Sequence, residues 1–211
     1  MMLNVACRHS PLSLAQVKEV FAALPTINYT LFPVTTKGDL DRTTSLRTLP
    51  KNDFFTDTVD QLLLEGSCRI AIHSAKDLPD PLPEGLSLIA LTQGVDPTDS
   101  LVIREGETLA SLPKGAVIAT SSTRREEAVR QLRSDLTFID VRGTIHERLD
   151  ILNQHAHGVV IAEAALIRLN LTHLNRATLP GPTVPFQGQL AIIARSGDTD
   201  MQTLFAPLHH G

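Results

Sequence analysis

The sequence predicts an α/β protein in two lobes. Three observations carry this. Short apolar runs alternate with helix-period segments along most of the 211 residues. Two Pro- and Gly-rich stretches look like crossings between halves, and basic residues recur just after the predicted strands. Strand–helix alternation of this kind builds sheets covered by helices.

Leu3 to Cys7 reads as a strand, and Ser10 caps the next helix with Pro11 at its first position. Leu14, Val17, Phe21 and Leu24 mark one face of that helix. Tyr29 to Val34 is a second strand. The segment containing Phe55, Val59, Leu62 and Leu63 is a helix stopped at Gly66. Arg69 to His73 and Leu86 to Leu91 are further strands. A second series follows, with strands at Ser100 to Ile103, Ala116 to Thr120, Leu136 to Val141 and Gly158 to Ile161. Helices at Ser122 to Arg133, Thr144 to Asn153 and Ala162 to Leu169 lie between them, and Thr144 with Glu147 fits a capping box. The Asp96-Pro-Thr-Asp99 stretch reads as one crossing and Leu179-Pro-Gly-Pro-Thr-Val-Pro185 as the return. Lobe 1 is therefore expected to be discontinuous, residues 1–94 plus 188–211, with lobe 2 at 95–187. A cleft between them is the expected ligand site.

Composition narrows the function classes. Hydrophobic residues make up 42% and charged residues 20%, which excludes disorder and low complexity. Mean hydropathy is +0.03, and no apolar run reaches the roughly 18 residues that a membrane span needs. A net charge of −4 argues against a general nucleic-acid binder, and a chain with one Tyr and no Trp offers little for base stacking. Two cysteines, Cys7 and Cys68, make neither a disulfide framework nor a four-thiolate zinc site. The first residues lack the basic-then-apolar pattern of a secretion signal, so a cytoplasmic, monomeric protein is the default expectation.

The placement of cations is the informative feature. Arg8 follows the first strand, Lys37 the second, and Lys76 and Asp77 the strand ending at His73. Arg124 and Arg125 occupy the first turn after Thr120-Ser121-Ser122; Arg142 precedes the Thr144 helix, with Arg148 in its first turn. Cations there oppose the helix dipole, at a cost of about 0.3–1 kcal/mol each. A bound anion would offset that cost, held by helix N–H groups, hydroxyls and guanidinium groups together. The alternative for any single Arg is solvation, or pairing with a nearby Glu126 or Glu127. Several cations of this kind in a net acidic chain point to a ligand with several carboxylates or phosphates. Asp77, among them, would stay ionised and serve a cationic intermediate or move a proton.

Other constellations are weak. His155, His157, His209 and His210 lack the spacing and carboxylates of a zinc enzyme, so no metal is expected. Ser121 and Ser122 sit in no nucleophile-elbow pattern, which leaves capping or anion binding.

Taken in order, several stretches resemble the porphobilinogen deaminase (hydroxymethylbilane synthase) family. They are Ala6-Cys-Arg-His-Ser-Pro-Leu12, Val34-Thr-Thr-Lys-Gly-Asp39, Ile72-His-Ser-Ala-Lys-Asp-Leu-Pro79, Ala119-Thr-Ser-Ser-Thr-Arg-Arg125, Val141-Arg-Gly143 with Arg148, Leu166-Ile-Arg-Leu169, and Pro185-Phe-Gln-Gly-Gln189. The resemblance implies two periplasmic-binding-protein-like lobes around a central cleft. It implies a transferase of tetrapyrrole (heme) biosynthesis that condenses porphobilinogen units with release of ammonia. By residue match Asp77 would be the catalytic carboxylate. Arg8, Ser10, Lys76, Thr120, Ser121, Ser122, Arg124, Arg125, Arg142, Arg148 and Arg168 would hold the acetate and propionate groups of porphobilinogen and linear pyrrole chains.

The family carries a dipyrromethane cofactor on a cysteine of a third α/β domain. That domain is expected to be absent here, and neither Cys7 nor Cys68 matches the anchor, so no covalent attachment site is expected. The family's basic loop reads Leu49-Pro-Lys-Asn-Asp-Phe-Phe55, with Lys51 displaced. A non-catalytic two-lobed binder of pyrrole polycarboxylates is the alternative reading; retention of Asp77 favours the enzyme.

Overall fold

A computed structural model describes residues 1–47, 49 and 52–211; Lys51 lies outside them. Its first elements are β1 (Met2–Arg8), α1 (Pro11–Ala22), β2 (Asn28–Val34), α2 (Lys37–Leu40), α3 (Asp57–Leu64) and β3 (Ile70–Ser74). A 3-10 turn at Ala75–Asp77 and β4 (Leu86–Leu91) follow. Next come β5 (Asp99–Ile103), β6 (Val117–Ala119), α4 (Thr123–Leu132), β7 (Thr137–Ile139), α5 (Ile145–Asp150), β8 (Gly158–Ala162) and α6 (Glu163–Arg168). The chain continues through β9 (Arg176–Thr178), β10 (Leu190–Arg195) and α7 (Thr199–Phe205). The strands form two five-stranded sheets, ordered β2-β1-β3-β10-β4 and β7-β6-β8-β5-β9. The chain divides into two compact units: Met1–Asp41, Pro50–Val95 and Phe186–Gly211 in one, Arg42–Leu49 and Asp96–Pro185 in the other.

In the first unit β1 runs parallel to β2 and β3, while β10 lies antiparallel between β3 and β4. The strand β1 is covered on both faces, as a central parallel strand must be. Its alternation sends Leu3, Val5 and Cys7 toward Val17, Val20 and Phe21 of α1 and toward Met201 and Phe205 of α7. Ala6 faces the other way, with Ala71 and Ile193, against Val59 and Leu63 of α3. Ser10 caps α1 by accepting from the Ser13 N–H, and Pro11 supplies the first helical residue. The helix expected from Phe55 starts only at Asp57; Phe55 packs on Gly38, where a β-carbon would come within 2.3 Å of its ring. That close approach requires the glycine.

In the second unit β6 runs parallel to β7 and β8, and β5 lies antiparallel between β8 and β9. Leu101, Ile118, Val160, Val129 and Leu136 form its core. The α5 capping box forms as expected, with Glu147 reaching back to the Thr144 N–H. Residues 42–49, which sequence placed with lobe 1, cluster with this unit. Arg47 accounts for that: it pairs with Glu126 at 2.6 Å and with Asp140, and donates to the Thr120 carbonyl at 2.9 Å.

Glu163, at the start of α6, is buried beside Ser100 and pairs with the part-buried Arg176, whose Nη2 lies 2.6 Å from its Oε1. Hydrogen bonding from Arg176 holds its carboxyl below the usual range, against the opposing effect of burial. A carboxyl depressed in the folded state stabilises the fold above its unfolded pKa, about 4.3, and that contribution is lost as pH falls below it. Glu163→Gln should therefore cost about 3 kcal/mol at neutral pH, since it leaves Arg176 uncompensated. It should also flatten the acid limb of the melting temperature measured from about pH 7 to pH 3. An unchanged acid limb would remove Glu163 from the acid response.

Candidate active site

The sequence-predicted residues divide between the two units, in each case near the carboxyl ends of the parallel strands. In the first unit Arg8 ends β1, Ser10 caps α1, and Lys76 and Asp77 lie in the 3-10 turn after β3. Arg8, Ser10, Ser13, Gln16, Phe55, His73, Ser74 and Asp77 line one pocket. The turn carrying Asp77 is fixed at its start by the Ala75 N–H, which donates to the Gln189 carbonyl at 3.0 Å. Gln16 ties α1 to the end of β3 through a 2.7 Å hydrogen bond to the Ser74 hydroxyl.

Arg8 does not reach outward alone. It pairs with Asp39 through two of its nitrogens and lies 4.8 Å from the Phe55 ring centroid. Asp39 also accepts from the Thr36 N–H and hydroxyl, closing the capping box of α2. Burial alone would push its carboxyl up; hydrogen bonds from Arg8 and Thr36 outweigh burial and hold it below the usual range. Arg8 is thereby a positioned cation on a carboxylate anchor. Beside the pocket floor, His73 Nε2 is buried 3.4 Å from Asp60 of α3.

In the second unit Ser122 caps α4, accepting from the Arg125 N–H, and its own N–H donates to the Thr120 hydroxyl. The Ser121 hydroxyl donates to the Val141 carbonyl at 2.7 Å and accepts from the Val141 N–H at 2.8 Å. It joins the β6–α4 turn to the segment before α5. Arg124 and Arg125 both pair with Asp99 of β5, at 2.7 and 3.0 Å. Glu126 instead pairs with Arg47 and Arg130. Arg142 donates to the Thr44 carbonyl and Arg148 to the Gly143 carbonyl. Arg168 ends α6. The cap hydroxyls thus hold the helix starts, and Arg124, Arg125, Arg142 and Arg148 each meet a protein oxygen atom.

Sequence reasoning missed Ser13, Gln16, Asp39, Phe55, His73 and Asp99. Asp99 sat in a stretch read only as a crossing. Its signal was an acidic residue opening an apolar strand, where a buried charge needs a partner.

The porphobilinogen deaminase, dipyromethane cofactor binding domain model matches residues 3–203. The chain is 38% identical to a probable porphobilinogen deaminase of Chlamydia pneumoniae, over 98% of this chain and 90% of the relative. The chain belongs to the porphobilinogen deaminase family. The family's enzyme from Roseiflexus castenholzii is 36% identical, over 98% of this chain and 71% of its own length. The two-lobed fold class has solved examples. A periplasmic substrate-binding protein of an ABC transporter from Coxiella burnetii matches with TM-score 0.58 at 14% identity, over 99% of this chain and 92% of that one. A putative methionine-binding lipoprotein from Bacillus subtilis matches with TM-score 0.58 at 12% identity, over 100% of this chain and 90% of that one. Among the described residues no helix is long and apolar enough to cross a membrane, and no group of metal-ligating side chains forms.

Proposed function

We propose that this member of the porphobilinogen deaminase family condenses porphobilinogen units head to tail, releasing ammonia, to form hydroxymethylbilane. The observation that carries the reading is Asp77 in a pocket beside Arg8 and the capped start of α1. A carboxyl group there meets a cationic reaction centre, while cations near it meet the substrate's acid groups.

The Asp77 carboxyl gives its proton to the departing amine. The carbon–nitrogen bond breaks with its electron pair moving to nitrogen, and ammonia leaves. The ionised carboxylate then faces the azafulvenium cation of the substrate and stabilises it. The α-carbon of the next pyrrole attacks the methylene carbon, and its proton returns to Asp77, restoring the aromatic ring and reloading the acid. Arg8 and Ser10 serve the acetate and propionate groups in one unit. Arg124, Arg125, Arg142, Arg148 and Arg168 serve them in the other, with Lys76 near Asp77.

The same donors suit a dipyrromethane, which is rich in carboxylates. When bound, that group supplies the free pyrrole carbon to which the first unit is added. Cys7 and Cys68 do not suit its covalent attachment. Both are buried, and burial pushes the Cys7 thiol up to about 11 and the Cys68 thiol also upward; a thiol so held is a poor nucleophile. Intact mass measured under denaturing conditions should show Cys7 and Cys68 unmodified. An adduct of two pyrrole units on either would contradict this.

Incubating the purified protein with porphobilinogen tests the activity: porphobilinogen should disappear and uroporphyrin should form. Porphobilinogen that persists unchanged would overturn the reading.

A further inference from the structure

We infer that His73, backed by Asp60, binds an acid group of the ligand in the Asp77 pocket and takes up a proton as it does so. The inference rests on the proposed function and deepens it, adding to the site a titratable group outside the predicted binding set.

His73 in β3 and Asp60 in α3 are both 5% exposed. Alternation along the strand fixes the side on which they meet. Ile70 and Ile72 pack with α1, Ala71 packs with α3, and His73 falls on the Ala71 side. There its Nε2 is buried 3.4 Å from Asp60 Oδ1 and makes no hydrogen bond among the described residues. Asp60 therefore acts on the ring as a charge. A carboxyl buried so deeply calls for a compensating partner, and the imidazole is the group set against it. His73 also lines the pocket that holds Arg8, Ser10 and Asp77. With Nε2 turned to Asp60, Nδ1 is the ring nitrogen left for a ligand.

The elements around His73 carry few other charges. On β1 Arg8 is paired with Asp39 of α2, and on α3 Asp57 accepts from the Lys37 N–H. The turn after β3 brings Lys76 and Asp77; α1 contributes the uncharged Ser13 and Gln16, and β10 sets Ala191 opposite His73. The neutral ring keeps its proton on Nε2, toward Asp60. A ligand carboxylate entering the pocket favours the imidazolium, as a neighbouring negative charge must. The second proton then comes from solvent to Nδ1, which donates to the ligand while Nε2–H faces Asp60. Arg8 stays charged throughout, so it adds no such dependence. The site therefore holds an acidic ligand less tightly as pH rises through the titration of His73.

The test is titration calorimetry with porphobilinogen on Asp77→Asn protein, in which position 77 neither titrates nor drives turnover. It runs from about pH 6 to about pH 9, where the ligand's acid groups stay ionised, in buffers of differing ionisation heat. Affinity should fall about tenfold across that range, the scale of one charge-assisted hydrogen bond, with roughly half a proton taken up near the midpoint. Adding His73→Gln should abolish the uptake and hold affinity near its alkaline value. Adding Asp60→Asn should move the fall to lower pH. Binding without uptake, uptake that persists in His73→Gln, or a fall unmoved in Asp60→Asn would overturn the inference and leave the proposed function standing. Asp77→Asn protein that binds no porphobilinogen would overturn both, since each places the acid groups on residues other than Asp77. If His73→Gln fails to melt cooperatively, His73→Asn carries the same readout. Loss of folding in both would assign His73 to stability alone and overturn the inference.

Discussion

Asp77→Asn is expected to lower porphobilinogen turnover by about a thousandfold or more while leaving the fold and ligand affinity close to wild type. The loss combines two roles of one group. Removing a positioned acid–base group costs about 10²–10⁴ in rate. Removing the charge that faces a developing cation adds to that, because the interaction is stronger in the transition state than in the ground state. The bound substrate is an anion, so losing a neighbouring negative charge does not weaken its binding. Thermal melting checks the fold, calorimetry with porphobilinogen checks affinity, and ammonia release checks the rate. Equal ammonia release by variant and wild type would remove Asp77 from the chemistry.

Arg125→Ala should have the largest effect on stability. Its guanidinium is 13% exposed and shares the Asp99 carboxylate, itself 1% exposed, with Arg124. Removing it leaves a buried carboxylate with part of its compensation gone. Breaking a buried pair from one side costs about 3–5 kcal/mol. In a chain of this size each kcal/mol lowers the melting temperature by about 2–4 °C, so a fall of roughly 10 °C is expected. Adding Asp99→Asn to Arg125→Ala should recover part of that loss, because no under-compensated buried carboxylate then remains. A double variant as unstable as the sum of the singles would show that the two residues act independently.

The elements that sequence read best are those whose local pattern and core contacts agree. Ser10 and Pro11 start α1, Thr144 and Glu147 start α5, and Leu86–Leu91 matches β4 at both ends. The elements it missed lack such agreement. The helix α2 has four residues and is held by the Thr36–Asp39 capping box and by Phe55 packed on Gly38. The strand β9 is Arg-Ala-Thr at a sheet edge, with no buried residue to give an apolar signal. The helix α7 shows only Met201 and Phe205 as buried anchors behind the Asp198 cap.

The candidate site was legible as a set of cations after strands, since that placement is local. Their partners were not. Asp99 lies far from Arg124 in sequence, and only the order β6-β8-β5 brings the start of β5 to the edge from which α4 departs. The same holds for Arg47, whose carboxylates at positions 126 and 140 lie far along the chain in the unit that residues 42–49 join. Local sequence shows which charges are present; strand order decides which of them meet.

The central claim is that a carboxyl at Asp77 drives loss of ammonia from porphobilinogen. It is tested most directly by mixing the wild-type protein with porphobilinogen and measuring ammonia against porphobilinogen consumed. The account predicts one ammonia for each porphobilinogen lost. Porphobilinogen that binds and is recovered unaltered, with no ammonia released, would contradict it.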